Sequence, residues 1–124
     1  MNECRRAVLV VDDDHDVREA LREVLEDHGY QVLEAGNGHD ALALLRREAS
    51  PPCLILLDIM MPVMDGWEFR AAQREDPALA GIPVVVLSAH GQVQRPSDGV
   101  DPTAFLKKPV QLPPLLETVA RYCC

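Results

Sequence analysis

Three features of the sequence predict an α/β fold, a five-stranded parallel sheet with helices on both faces. Short apolar runs alternate with helix-spaced patterns along most of the chain; the third and fourth runs are apolar throughout rather than every second residue; and the side chains with reactive chemistry follow the ends of those runs. The first strand is AVLVV at 7–11, after which Val17, Leu21, Val24 and Leu25 fall on one helical face until Gly29 stops them. VLEA at 32–35 is the second strand, and a helix begun near Asn37 carries Ala41, Leu42, Leu44 and Leu45. CLILL at 53–57 is the third strand, followed by a helix from Trp67 to about Glu75 in which Trp67 and Phe69 read as packing residues. IPVVVLSA at 82–89 forms the fourth strand and AFLK at 104–107 a weaker fifth. Leu112, Leu115, Leu116 and Val119 mark the last helix, whose first turn accommodates Pro113 and Pro114.

At 124 residues the chain reads as one domain, 1–124, with ordinary globular composition of 48% apolar and 26% charged residues. The excess of 20 acidic over 12 basic residues gives a net charge of -8, so no basic field exists to attract nucleic-acid phosphates or anionic lipid. Direct nucleic-acid binding and membrane association are thereby excluded as expectations. No apolar stretch reaches membrane-spanning length and the start of the chain is too short for a signal peptide, which predicts a cytoplasmic protein. Cys4, Cys53, Cys123 and Cys124 show no CxxC spacing, so reduced thiols are expected, with Cys53 a small core hydrophobe. His15, His28, His39 and His90 have no metal-ligand spacing and are expected on the surface.

In a doubly wound sheet, ligands sit beyond the carboxyl ends of the strands. Asp12 and Asp13 follow the first strand, Asp58 the third, Ser88 the fourth and Lys108 the fifth, so all of them arrive at one edge. The acids from Asp12 also match EF-hand ligand spacing, but Val17 stands where that loop needs glycine and a strand precedes it where a helix is required. A haloacid-dehalogenase-type phosphotransferase, with Asp12 as nucleophile and Asp14 as acid/base, is the enzyme-class alternative; Asp16 departs from its motif and the chain is too short for its usual cap domain.

Three carboxylates converging on one edge repel one another unless a hard cation sits among them, and Mg²⁺ suits such oxygen ligands. Asp13 and Asp58 are the expected direct ligands, with Asp12 acting through a water. A carboxylate beside the ion can attack phosphorus, which makes Asp58 the nucleophile. Lys108 would pair with one phosphoryl oxygen and the Ser88 hydroxyl with another. Asp14 or Asp16 is surplus to the cation and caps the first helix, Asp16 with Glu19 having capping-box spacing.

VVDDD, LLDIMMPVMDG, VVVLSA and FLKKP, in this order and spacing, resemble the receiver domain of two-component response regulators over essentially the whole chain. The resemblance implies a flavodoxin-like strand order 2-1-3-4-5, Asp58 as phosphoacceptor, the Met60 carbonyl as a further Mg²⁺ ligand, and Ser88 with Phe105 as switch residues. It implies a phosphorylation-dependent signalling switch charged by a sensor histidine kinase or phosphotransfer protein, acting on a downstream protein target or an output domain missing from this stretch. Such a chain is a phosphoacceptor with self-catalysed uptake and hydrolysis, not a metabolic enzyme. A degenerate receiver acting by contact alone is disfavoured by the intact Asp12, Asp13, Asp58, Ser88 and Lys108. One departure stands out: where the family carries a full fourth helix, Gly91, Pro96, Gly99 and Pro102 predict a short or irregular segment over 90–102.

Overall fold

The structure, a computed structural model, describes residues 7–48, 51–58, 66–88, 104–107 and 110–123, and only the backbone of Trp67, Ser88, Ala104, Phe105 and Lys107. The elements run β1 (Ala7–Val11), α1 (His15–Asp27), β2 (Gln31–Ala35), α2 (Gly38–Arg47), β3 (Leu54–Asp58), α3 (Gly66–Glu75), β4 (Val84–Ser88), β5 (Ala104–Lys107) and α4 (Leu112–Tyr122). All strand pairs are parallel, in the order β2-β1-β3-β4-β5. The expected segment 90–102 lies outside the described residues.

Continuous apolar runs become central strands because both of their faces are covered. Leu9, Val11, Ile55, Leu57, Val84 and Val86 pack with Ala41, Leu42 and Leu45 of α2 and with Phe69 of α3. Their neighbours Val8, Val10, Leu54, Leu56, Val85 and Leu87 face the other way, onto Leu21 and Leu25 of α1 and Leu115 and Val119 of α4. The two-residue period of a strand thus splits each run between two cores, and no alternation appears in the sequence.

Two of the boundaries that differ from expectation do so for identifiable reasons. β4 starts at Val84 rather than Ile82, because Ile82 N–H donates to Leu79 O at 3.1 Å in the preceding turn and Pro83 has no N–H to give. β3 includes Asp58, which holds sheet register opposite Leu87. The turn before β4 is held by a residue that the sequence reading passed over. The fully buried Gln73 amide donates to Leu79 O at 2.8 Å and Ile82 O at 3.1 Å, and its Oε1 accepts from Arg70 at 2.8 Å.

Gly29 stops α1 as expected. Its φ of 88° is the left-handed conformation that glycine adopts at low cost, and Gly29 N–H to Glu26 O with Tyr30 N–H to Leu25 O completes a Schellman motif. At the other end the cap is Asp14, whose carboxylate accepts from Asp16 N–H at 2.9 Å and Val17 N–H at 3.4 Å. Asp16 is inside the first turn, so the capping-box pairing of Asp16 with Glu19 is corrected: the helix starts too early for it. Asp14→Ala is expected to cost about 1 kcal/mol, the usual worth of an N-cap. Asp16→Ala should lose only a helix-dipole interaction of about 0.3–0.5 kcal/mol; urea denaturation of the two variants measures the difference.

The cysteine expectation is also corrected. Cys53, just before β3, and Cys123, just after α4, form a disulfide with Cα atoms 5.4 Å apart. Parallel topology places the start of β3 beside the end of α4, a proximity hidden by a sequence separation of 70 residues. Cys123 is 2% exposed, so the bond is set into the α1/α4 core. Cys4 and Cys124 lie outside the described residues. His15, His28 and His39 are exposed as expected, and His90 lies outside the described residues.

Candidate functional site

Sheet register brings the acids together. Val11 pairs with Leu57, so Asp12, one residue past β1, stands level with Asp58 at the end of β3. Asp12 extends the ladder by donating its N–H to Ala35 O at 3.1 Å, after which the chain turns into α1 and carries Asp13 over the same edge. One carboxylate oxygen from each of Asp12, Asp13 and Asp58 lies within 4.8 Å of the other two. Asp12 is 0% and Asp58 5% exposed, whereas Asp13 opens to solvent.

That arrangement is electrostatically costly by itself. At an effective dielectric constant of 20, two carboxylate charges at such a separation repel by roughly 3 kcal/mol. Hydrogen bonding relieves part of this: Asp12 Oδ1 accepts from Asp14 N–H at 2.9 Å, within the turn that also makes Asp14 the helix cap. A group of three oxygen donors, two buried and one exposed, is an acidic cluster suited to a hard metal ion with an open side.

The other expected residues are placed less fully. Ser88 ends β4 and pairs with Lys107 of β5, so its backbone is at the carboxyl edge, two strands along the sheet from Asp12. Phe105 lies within β5 opposite Val86. Lys108 directly follows β5 in sequence, but Lys108 and Met60 lie outside the described residues.

Behind the acids stands a group of charges that the sequence reading missed. Arg18 of α1 donates from Nη1 to the Asp12 carbonyl at 2.5 Å and from Nε to Glu34 Oε1 of β2 at 3.3 Å. Arg22, one turn on, donates to the second Glu34 oxygen at 2.8 Å. This hydrogen bond, then the attraction of Glu34, raises the Arg22 pKa above its ordinary value, so Arg22 stays cationic. Arginines four apart on a helix are unremarkable in a sequence, and their shared partner on β2 is visible only once the strands are paired.

A flavodoxin-like doubly wound domain with an acidic cluster at the carboxyl edge of its first and third strands is what fold and site define. The response regulator receiver domain model matches residues 8–120, and the chain belongs to that family. Response regulator Rre1 of Synechocystis is 39% identical over 120 residues, which are 93% of this chain and 50% of that protein. PilH of Pseudomonas aeruginosa is 36% identical over 114 residues, covering 90% of this chain and 93% of PilH. The chemotaxis response regulator CheY4 of Vibrio cholerae superposes with a TM-score of 0.83 at 33% identity, over 94% of this chain and 97% of that one. Among the described residues no helix is long and apolar enough to cross a membrane.

Proposed function

We propose that this domain is a signalling switch that accepts a phosphoryl group on Asp58 from a sensor histidine kinase or phosphotransfer protein of a two-component phosphorelay. The observation that carries this reading is the 5%-exposed Asp58 carboxylate beside Asp12 and Asp13, with their oxygens within 4.8 Å, in a chain of the receiver family. An Asp58 oxygen attacks phosphorus, the bond from phosphorus to the donor nitrogen or oxygen breaks, and the donor leaves with the electron pair. The product is an acyl phosphate, which water later returns to free carboxylate and inorganic phosphate.

The donor set fits Mg²⁺. Octahedral Mg²⁺ with oxygens at about 2.1 Å needs ligands about 3–4.2 Å apart, so separations up to 4.8 Å suit two direct carboxylates and a third acting through water. Asp13 and Asp58 would hold the ion directly, Asp12 through a water, and the Met60 carbonyl would add a ligand. When bound, the ion screens the repulsion between an anionic donor and the anionic pocket. Lys108 and the Ser88 hydroxyl take the phosphoryl oxygens, and Ser88 with Phe105 passes the change to the surface. The chain is thus a regulatory phosphoacceptor in the cytoplasm rather than a metabolic enzyme. Its readout is a downstream protein target or an output domain, without direct contact to nucleic acid.

Acetyl phosphate with Mg²⁺ should add one phosphoryl group to the protein by intact mass, and EDTA should prevent it. Asp13→Asn should weaken Mg²⁺ binding in calorimetry far more than Asp16→Asn, whose carboxylate sits in the first turn of α1. Equal effects of the two substitutions, or labelling undiminished by EDTA, would contradict the metal reading.

A further inference from the structure

The structure assigns Arg18 as a positioning residue for the Mg²⁺ and phosphoacceptor pocket: it fixes the peptide joining Asp12 to Asp13, and Glu34 fixes Arg18. This inference rests on the reading of the acidic cluster as a Mg²⁺ site.

The carbonyl that Arg18 holds at 2.5 Å belongs to the planar peptide between the two acids. Its orientation sets the last backbone dihedral of Asp12 and the first of Asp13, and with them the directions in which the two carboxylates leave the chain. The Asp12 side is already tied, through its N–H to Ala35 O and its Oδ1 from Asp14 N–H. Asp13 is exposed, and its direction depends on the turn itself.

Arginine suits this position because its planar fork donates in two directions at once. Nη1 reaches the Asp12 carbonyl while Nε reaches Glu34, with the Arg18 and Glu34 side chains only 18% and 23% exposed. Glu34 sits on β2, the edge strand in register with β1, so the anchor is part of the sheet rather than of a loop. The second Glu34 oxygen is occupied by Arg22. The chain of contacts is therefore sheet, Glu34, Arg18, Asp12–Asp13 peptide, metal carboxylates. Replacing outer groups that orient metal ligands typically costs about 10–100-fold in metal affinity.

Arg22 supplies an internal control. It carries the same charge, stands on the same helix and binds the same Glu34, and its recorded hydrogen bond goes to Glu34 rather than to the Asp12 turn. Arg18→Met is expected to weaken Mg²⁺ binding on the order of tenfold by calorimetry. Without metal it should also speed amide exchange at Asp13 and Asp14 by NMR, while the amides of Leu21 and Leu25 keep their protection. Arg22→Met should leave both readouts within about twofold of wild type, and Arg18→Lys, which can reach the carbonyl but cannot fork, should fall between. Removal of a positive charge alone predicts the opposite sign, tighter Mg²⁺ binding in both methionine variants.

Wild-type affinity in Arg18→Met, or equal losses in Arg18→Met and Arg22→Met, would overturn the positioning role. If Arg18→Met does not fold, Arg18→Lys decides the matter alone: unchanged Mg²⁺ affinity and exchange would count against the fork. Failure of wild-type protein to bind Mg²⁺ would instead bring down the metal reading itself, and with it this inference.

Discussion

Asp58→Ala protein is expected to take up no phosphoryl group under conditions that fully label wild type, a fall in rate on the order of a thousandfold or more. Asp58 is the carboxylate that ends a central strand, is 5% exposed, and lies level with the Asp12 that follows β1. Burial keeps competing water away from it, and the neighbouring acids supply a place for a cation that an isolated surface aspartate lacks. Asp13→Asn, which keeps the nucleophile and weakens the metal site, should slow labelling without abolishing it. A phosphoryl group retained by Asp58→Ala would move the nucleophile to Asp12 and favour the haloacid-dehalogenase arrangement. Melting temperature in EDTA serves as the folding control.

The parts of this molecule that were legible in its sequence are those whose physics is local. AVLVV and CLILL announce buried parallel strands because each residue faces one core or the other, and Gly29 announces the end of α1 because only a left-handed residue closes that turn. Asp12, Asp13 and Asp58 could be grouped in advance because parallel strands deliver their carboxyl ends to one edge. Strand order is different: crossover packing decides it and leaves no periodicity, and here it came from the family resemblance. Contacts made to a backbone atom or across a long separation were not legible. Arg18 binds a carbonyl, Gln73 binds two, and Glu34 meets its arginines only after β2 has paired with β1. The cap stayed open between Asp14 and Asp16 because both are carboxylates ahead of the same apolar face, and the first hydrogen-bonded turn chose Asp14.

The Cys53–Cys123 bond is expected to carry the largest stability change of any single covalent alteration considered for this chain. Closing a loop of 70 residues removes chain entropy from the unfolded state worth about 4 kcal/mol in the loop-closure model. That is a large fraction of the ~5–15 kcal/mol by which a domain is ordinarily stable. For a chain of this length it corresponds to a melting temperature roughly 15 °C lower after reduction. The native side of the balance should change little, because Cys53 Sγ lies 3.2 Å from Ala7 O, an acceptor ready for the thiol proton of the reduced form. Cys123 N–H remains bonded to Val119 O, so the end of α4 keeps its last backbone bond. The pair sits beside the amino end of β3 and Asp58 at its carboxyl end, so Mg²⁺ affinity should be the same in both redox forms while stability differs. Thiol pools keep most cytosolic pairs reduced, and in a reducing compartment the domain would work from the less stable form. Melting curves with and without dithiothreitol, alongside Cys53→Ser, measure the difference, and non-reducing peptide mapping identifies the linked cysteines. Unchanged melting on reduction of a mapped Cys53–Cys123 link would overturn the entropic account, and a link through Cys4 or Cys124 instead would overturn the pairing.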